Sequence, residues 1–157
     1  MDSRVGYGEG LYLKRHVKEK VIVAFYNGLR LPGLEPEDAS WEDRGYRIMV
    51  GEDARMDVPE AARSTLEYRA SLGHKIQHSF SPNCEFWEVP IMSYRVPSLS
   101  QYYRLQTEHP VFGHIPCIRT LVELPGGVEI TVNYNYMLDD CPQWYSELWD
   151  SLQRRQG

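Results

Sequence analysis

Residues 73–86, GHKIQHSFSPNCEF, hold two histidines, a cysteine and an asparagine in one short stretch. His74 and His78 have the spacing of a zinc-binding HExxH helix, but Lys75 stands where the general base belongs and Pro82 disfavours a helix. Cys84 could serve as a nucleophile, although a lone cysteine is more often buried and inert. The stretch therefore favours neither zinc nor a cysteine nucleophile.

Two further motifs have the residue types of a binding site. In residues 6–11, GYGEGL, three alternate glycines would let the backbone approach a ligand closely, but no phosphate-binding GK[ST] follows and a simple turn is equally consistent. In residues 131–137, TVNYNYM, an extended backbone would point Tyr134 and Tyr136 to the same side. Core packing would explain a tyrosine pair as well, so neither motif decides the function alone.

The composition is that of an ordinary globular protein with an unusual supply of tyrosine. The 157 residues suit one domain, and no apolar run approaches the roughly 18 residues of a membrane span. Three cysteines without a CxxC pair disfavour disulfides and structural zinc. A net charge of −5 disfavours nucleic acid and is compatible with a basic peptide. Eleven tyrosines and four tryptophans suit a pocket with aromatic walls and polar tips.

The elements that must position these residues are mainly short strands. Runs of β-branched and aromatic residues predict strands at 11–13, 20–26, 46–50, 55–58, 86–89, 115–120 and 128–134. A turn is predicted at 27–28, a helical turn at 36–41 and a short helix at 60–72. Trp144, Leu148 and Leu152 recur at helical spacing and predict an amphipathic terminal helix. Residues 88–110 lack a period, which favours a long hairpin or loop over a partner-binding platform.

Taken in this order, five segments resemble the SET-domain protein lysine methyltransferases: GYGEGLYL, VAFYNGLRL, GHKIQHSFSPNCEF, IPCIRTL and GVEITVNYNY. ASLGHK, HSFSPNC, FGHIPCIRTL and CPQWYSELWDSLQ are closest to the subgroup with N-terminal MORN repeats, which monomethylates histone tails and other proteins. The resemblance runs over residues 6–153. It implies a single SET domain over 1–157, a mainly β fold (β-clip) of several small sheets with a pseudoknot. It also implies a truncated N-terminal edge and a C-terminal helix at about 142–154 that closes the site.

The resemblance also implies S-adenosyl-L-methionine as cofactor, a lysine-containing protein as substrate and no metal. Tyr134, Tyr26 and Tyr136 are expected to be catalytic, with Phe86, Tyr26 and Tyr136 forming the channel for the lysine side chain. The cofactor-binding residues are then expected to be Gly8, Glu9, His74, Lys75, Gln77, His78 and Trp144. The expected protein is a monomeric chromatin regulator of the nucleus or cytoplasm that binds neither nucleic acid nor membrane.

The chain departs from the family pattern at two site positions. Gln77 stands where the family usually has asparagine, and Phe86 where the monomethylating subgroup usually has tyrosine. The first difference leaves open a catalytically weakened SET domain that binds peptides or proteins. The second leaves open dimethylation as well as monomethylation. A structural interaction module that uses the tyrosine-rich segment at 88–110 is a third reading.

Overall fold

The computed structural model describes residues 10–33, 39–50, 54–59, 72–90 and 114–156. Within these residues the chain forms nine short strands and a long C-terminal helix. It also contains a single-turn helix and a 3-10 turn at Gly73–Lys75. The strands are β1 Leu11–Tyr12, β2 Ile22–Phe25, β3 Leu29–Pro32, β4 Arg47–Val50, β5 Ala54–Asp57, β6 Gln77–His78, β7 Cys84–Pro90, β8 His114–Thr120 and β9 Glu129–Val132. The helices are α1 Trp41–Arg44 and α2 Gln143–Gln156.

The described strands make three small sheets with the orders β1-β9-β6, β2-β8-β7 and β3-β5-β4. Strand neighbours are antiparallel except for β6, which lies parallel to β9 at the outer side of its sheet. The mainly β architecture of several small sheets with a C-terminal helix was predicted from the sequence and is confirmed.

Two hydrophobic clusters hold these sheets together. The first joins the β1-β9-β6 and β2-β8-β7 sheets through Leu13, Ile76, Cys84, Ile118, Leu124, Ile130 and Val132. The second packs the β3-β5-β4 sheet against the end of β2 through Tyr26, Val50, Met56 and Val58. Phe86 packs against both clusters, so the centre of β7 lies where all three sheets meet.

The histidine-rich stretch runs between the sheets and is held there by close backbone contacts. A Cβ atom at Gly73 would lie 2.8 Å from the Phe25 carbonyl oxygen, so only glycine allows this approach. At the other end, the Asn83 amide donates to the Glu129 carbonyl and accepts from the Thr131 N–H, both at 2.9 Å. The asparagine side chain thus pairs with β9 beside the point at which β6 begins, since Gln77 is the residue opposite Thr131.

The local predictions locate seven of the nine described strands and miss two. The predicted strands at 11–13, 20–26, 46–50, 55–58, 86–89, 115–120 and 128–134 are confirmed within one or two residues at most ends. Strands β3 and β6 were not predicted. Helix α1 begins at Trp41, where the predicted helical turn ended. The predicted helix at 60–72 and the segment at 88–110 lie largely outside the described residues.

The predicted terminal helix is present as α2, but its buried face differs from the predicted stripe. Tyr145 is its buried residue, with 3% of its surface exposed, whereas Trp144 is 41% exposed. The prediction followed Trp144, Leu148 and Leu152, which recur at a spacing of four. Instead, the Phe80 ring contacts Tyr145 and Trp149, which are also four apart and so lie on one face of the helix.

No helix in the described part of the chain is both long enough and apolar enough to cross a membrane.

Candidate active site

The four residues predicted to be catalytic or to form the channel line one cavity of about 480 Å³ where the three sheets meet. Tyr26, Phe86, Tyr134 and Tyr136 form its aromatic walls. The other lining residues are Gly45, Arg47, Ile48, Met49, Gly73, His74, Ile76, Trp87, Glu88, Pro116 and Asn135. The cavity therefore combines several ring side chains with few charged groups.

Tyr26 is fixed at the end of β2 by hydrogen bonds at both its backbone and its hydroxyl. Its N–H donates to the Pro116 carbonyl at 2.9 Å, and its hydroxyl donates to the Tyr46 carbonyl at 2.6 Å. The side chain is buried, and this desolvation, followed by the proximity of Tyr134 and Tyr136, raises its pKa far above the ordinary value. Tyr26 is therefore a neutral phenol at any physiological pH.

Tyr134 follows β9 and lies between the cavity and a second group of rings. Its hydroxyl donates to the Ile76 carbonyl at 2.6 Å, and its backbone N–H donates to Nδ1 of His78 at 3.1 Å. Its ring lies 5.2 Å from the His78 ring and 6.1 Å from the Trp144 ring, measured between centroids. Tyr134 thus lies between the cavity and the His78 ring.

Tyr136 joins the same wall, although the backbone before it is not extended as predicted. Residues 133–136 lie outside the strands, and Asn135 adopts a positive φ of 54°. Its N–H is held by the Asn133 side-chain oxygen at 2.9 Å, a local bond that stabilises this left-handed turn. Tyr134 and Tyr136 still meet, with ring centroids 5.6 Å apart. Burial raises the pKa of Tyr136 to about 12.

Phe86 faces Tyr26 across the cavity, with ring centroids 6.3 Å apart. It lies on β7 with Cys84 and Glu88 on the same side of the strand, as period-two alternation requires. Arg47 contributes a positive charge to the wall, but its Nε pairs with the Asp57 carboxylate at 2.9 Å. The ionic groups of the wall are thus partly compensated, while the rings supply most of the surface.

The predicted cofactor residues fall into three groups. Gly8 and Glu9 lie outside the described residues. His74 lines the cavity, its ring 6.5 Å from Tyr26 and 6.2 Å from Tyr46, and Lys75 is half-buried in the same 3-10 turn. Gln77 and His78 form β6, and Trp144 at the start of α2 lies 5.8 Å from the His78 ring.

The rings around His78 make an aromatic cluster on the far side of Tyr134. Phe80 and Tyr145 lie 4.4 Å and 4.8 Å from the His78 ring, and Trp144 covers it while remaining 41% exposed. A flat heterocycle can stack on an exposed tryptophan, and an outer strand such as β6 can bind it through backbone groups. The described residues on this side therefore fit the adenosyl part of the implied cofactor.

The cysteines have the properties of core residues. Cys84 belongs to the first hydrophobic cluster, and burial raises the pKa of its thiol to about 11. Cys117 is also buried, and the same desolvation raises its pKa. These thiols are protonated at neutral pH and are poor nucleophiles. Among the described residues, no three His, Cys, Asp or Glu side chains lie together as metal ligands would.

Several wall residues were not singled out from the sequence. Arg47, Ile48 and Met49 come from the start of β4, whose apolar pattern indicated a strand but not which face meets a cavity. Glu88 follows Phe86 by two residues on β7, and this spacing is the one signal that could have found it. Asn135 could have been found between the two tyrosines, since asparagine tolerates a positive φ.

The comparisons with known proteins agree with this geometry. The chain is 39% identical over 146 residues to Histone-lysine N-methyltransferase SETD7 of Halocynthia roretzi. The alignment covers 88% of this chain but 33% of that protein, so the chain spans about a third of the relative's length. No protein-family model matches the chain. The similarity supports the SET-domain resemblance found in the motifs.

Proposed function

We propose that this protein is a SET-domain lysine methyltransferase, which transfers a methyl group to the side-chain amine of lysine in a histone or another protein. One observation carries the proposal: Tyr26, Phe86, Tyr134 and Tyr136 line a single cavity, and Tyr134 separates it from the His78 aromatic cluster. The similarity to a histone-lysine methyltransferase over 88% of the chain supports the same activity.

The cavity walls favour the reactive form of the incoming amine. A lysine side chain has an unperturbed pKa of about 10.4, yet only the neutral amine can attack a methyl group. Aromatic walls remove water from the amine and so disfavour its charged form. Burial disfavours the charged form of Tyr26 at this wall, and burial in the same cavity would disfavour a charged amine for the same reason.

The tyrosine hydroxyls have a defined orientation toward this amine. The Tyr26 proton is donated to the Tyr46 carbonyl, and the Tyr134 proton to the Ile76 carbonyl. Each hydroxyl oxygen therefore keeps its lone pairs as acceptors, and these could accept the N–H groups of a neutral amine bound in the cavity. Bonds from fixed acceptors orient the nitrogen lone pair, which is the contribution of positioning to the rate.

S-adenosyl-L-methionine supplies a methyl group bound to a positively charged sulfur. We infer that it is held by His78 and Trp144 of the aromatic cluster, together with Gly8, Glu9, His74, Lys75 and Gln77. Access of peptide and cofactor from opposite sides of Tyr134 leaves the tyrosine cavity as their junction. The width of that junction then limits how many methyl groups the product carries.

The subgroup, the substrates, the oligomeric state and the location are inferred from the same resemblance. We infer that the protein is closest to the MORN-repeat subgroup and acts on histone tails or non-histone proteins as a monomer. A nuclear or cytoplasmic location and a role in chromatin regulation go with this assignment. The first alternative, a catalytically weakened binding module, is motivated by Gln77, which is half-buried on β6. The second, an interaction module, rests on a segment that lies mostly outside the described residues.

The test is a Tyr134→Phe variant with activity and binding measured separately. We expect turnover on a lysine peptide to fall about a hundredfold, because the acceptor that orients the amine is lost. Binding of S-adenosyl-L-methionine, measured by calorimetry, should stay within about threefold of wild type, since the Tyr134 ring remains. Equal loss of both would show that Tyr134 is only structural. If wild-type protein gives no heat or thermal shift with millimolar cofactor, the binding-module alternative replaces the enzyme.

A further inference from the structure

Helix α1 is joined to the turn after Tyr136 through Arg44. Two guanidinium nitrogens of Arg44 donate to the two carboxylate oxygens of Asp140, at 3.3 Å and 3.2 Å. The guanidinium carbon lies 3.8 Å from the centroid of the Trp41 ring. The Trp41 ring in turn lies 4.8 Å from the Tyr136 ring. A continuous stack therefore runs from Asp140 through Arg44 and Trp41 to Tyr136.

Local backbone structure holds both ends of this stack. Trp41 and Arg44 are three residues apart on one helical turn, so they share a face, and the Arg44 N–H donates to the Ser40 carbonyl at 3.0 Å. Asp140 closes a turn by donating its N–H to the Met137 carbonyl, also at 3.0 Å. Two residues at this place line the cavity: Gly45, which follows α1, and Tyr136, at the end of the stack.

The stack contributes more to orientation than to stability. The Asp140 side chain is 61% exposed, and an ion pair with such a partner typically contributes between zero and about 1 kcal/mol. The contact between a planar guanidinium and an indole adds a preferred geometry that a lysine cannot reproduce. Its loss should therefore release the Trp41 and Tyr136 rings without unfolding the protein.

We propose that Arg44 is a positioning residue of the lysine cavity: by holding Trp41 against Tyr136, it fixes the Tyr136 ring and sets the space available to the methylated amine. This inference rests on the proposed methyltransferase function. Arg44 does not line the cavity itself. It would control the space beside Tyr136 indirectly, through the Trp41 ring.

The test compares Arg44→Met with Arg119→Met. Arg119 is a matched control: its side chain is likewise 18% exposed, stacks on a tryptophan at 3.4 Å and pairs with a carboxylate at 2.6 Å. For Arg44→Met we expect kcat to fall about tenfold with KM nearly unchanged, and the dimethylated share of the product to rise. The melting temperature should move by less than about 4 °C. Arg119 stacks on Trp87, which itself lines the cavity, so Arg119→Met serves as the control for the Tyr136 signals described next and not for the product ratio.

A second readout requires no turnover. The proton NMR signals of the Tyr136 ring, assigned with Tyr136→Phe, report the neighbouring Trp41 ring through its ring current. They should shift in Arg44→Met and stay in place in Arg119→Met, even in a protein without methyltransferase activity. Failure of the proposed function and failure of this inference are thereby distinguishable.

Arg44→Lys completes the comparison, because it keeps the charge but not the planar stack. We expect it to resemble Arg44→Met in product ratio and in the Tyr136 signals. Full recovery by lysine would show that charge alone suffices, and would overturn the positioning role. Unchanged Tyr136 signals in Arg44→Met would overturn it as well.

Discussion

At the scale of single residues, the cavity is defined by where each phenol proton goes. Tyr26 and Tyr134 donate to backbone carbonyls of two different segments, at Tyr46 and Ile76. Those bonds fix the rings and leave the oxygen lone pairs free to accept hydrogen bonds. Phe86 lacks a hydroxyl, so its part of the wall offers space and no hydrogen bond.

The space beside Phe86 leads to a prediction about the product. On a lysine peptide we expect the wild-type protein to form dimethyl-lysine as well as monomethyl-lysine, since no hydroxyl occupies this position. In Phe86→Tyr the added oxygen narrows the cavity, and the dimethylated share should fall at least about tenfold, a difference of about 1.4 kcal/mol. Mass spectrometry of the peptide measures both products. A wild-type protein that makes only monomethyl-lysine would contradict this prediction.

At the scale of elements, α2 brings two tryptophans to different neighbours. Trp144 faces His78, Tyr134 and Tyr136, and 41% of its surface is exposed. Trp149 packs on Phe80, with ring centroids 5.2 Å apart, and is half-buried. One helix thus carries a residue suited to ligand stacking and, five positions later, a residue that docks the helix.

The different neighbours of the two tryptophans predict different effects of alanine substitution: one on cofactor binding and the other on stability. Trp144→Ala should weaken S-adenosyl-L-methionine binding about tenfold or more, since stacking of a base on an aromatic ring contributes roughly 1–3 kcal/mol. Its melting temperature should change little. Trp149→Ala should destabilise the protein by about 1–3 kcal/mol, somewhat less than a fully buried aromatic residue would. Calorimetric titration and thermal unfolding of both variants give the comparison, and a Trp144→Ala variant that binds normally would remove Trp144 from the cofactor site.

At the scale of the whole molecule, three small sheets converge on one aromatic centre, and this burial couples stability to alkaline pH. Burial raises the pKa of Tyr136 from 10.0 to about 12, and that of Tyr26 also rises. Between these values the unfolded chain loses the phenol protons while the folded protein retains them. The stabilisation is therefore complete below about pH 10 and is lost as pH rises toward 12.

Urea unfolding at pH 8, 10 and 11 measures this effect. The free energy of unfolding of the wild-type protein should decrease above pH 10, and the decrease should be smaller in Tyr136→Phe, which has no phenol to titrate. Tyr12→Phe is the matched control, because it removes a hydroxyl from a side chain that is 62% exposed. Identical curves for wild type and Tyr136→Phe would exclude the burial of Tyr136 as a cause.

The sequence alone determined the elements whose pattern is local. β-branched and aromatic runs located the longer strands, and the spacing of apolar residues located α2. The ordered motifs also indicated which tyrosines to consider together. The two-residue β6 was missed because so short a strand has no period, and its existence depends on pairing with β9 more than fifty residues later.

Only the tertiary structure decided how those residues meet. Tyr26, Phe86 and Tyr134 come from three separate segments, and their shared cavity depends on contacts such as that of Gly73 with Phe25. The contact of Trp41 with Tyr136 likewise joins residues distant in sequence, whereas the left-handed Asn135 depends on one local bond to Asn133. Side-chain type is a property of the chain, whereas distance, burial and pKa arise from packing, and the chemistry proposed for this cavity depends on all three.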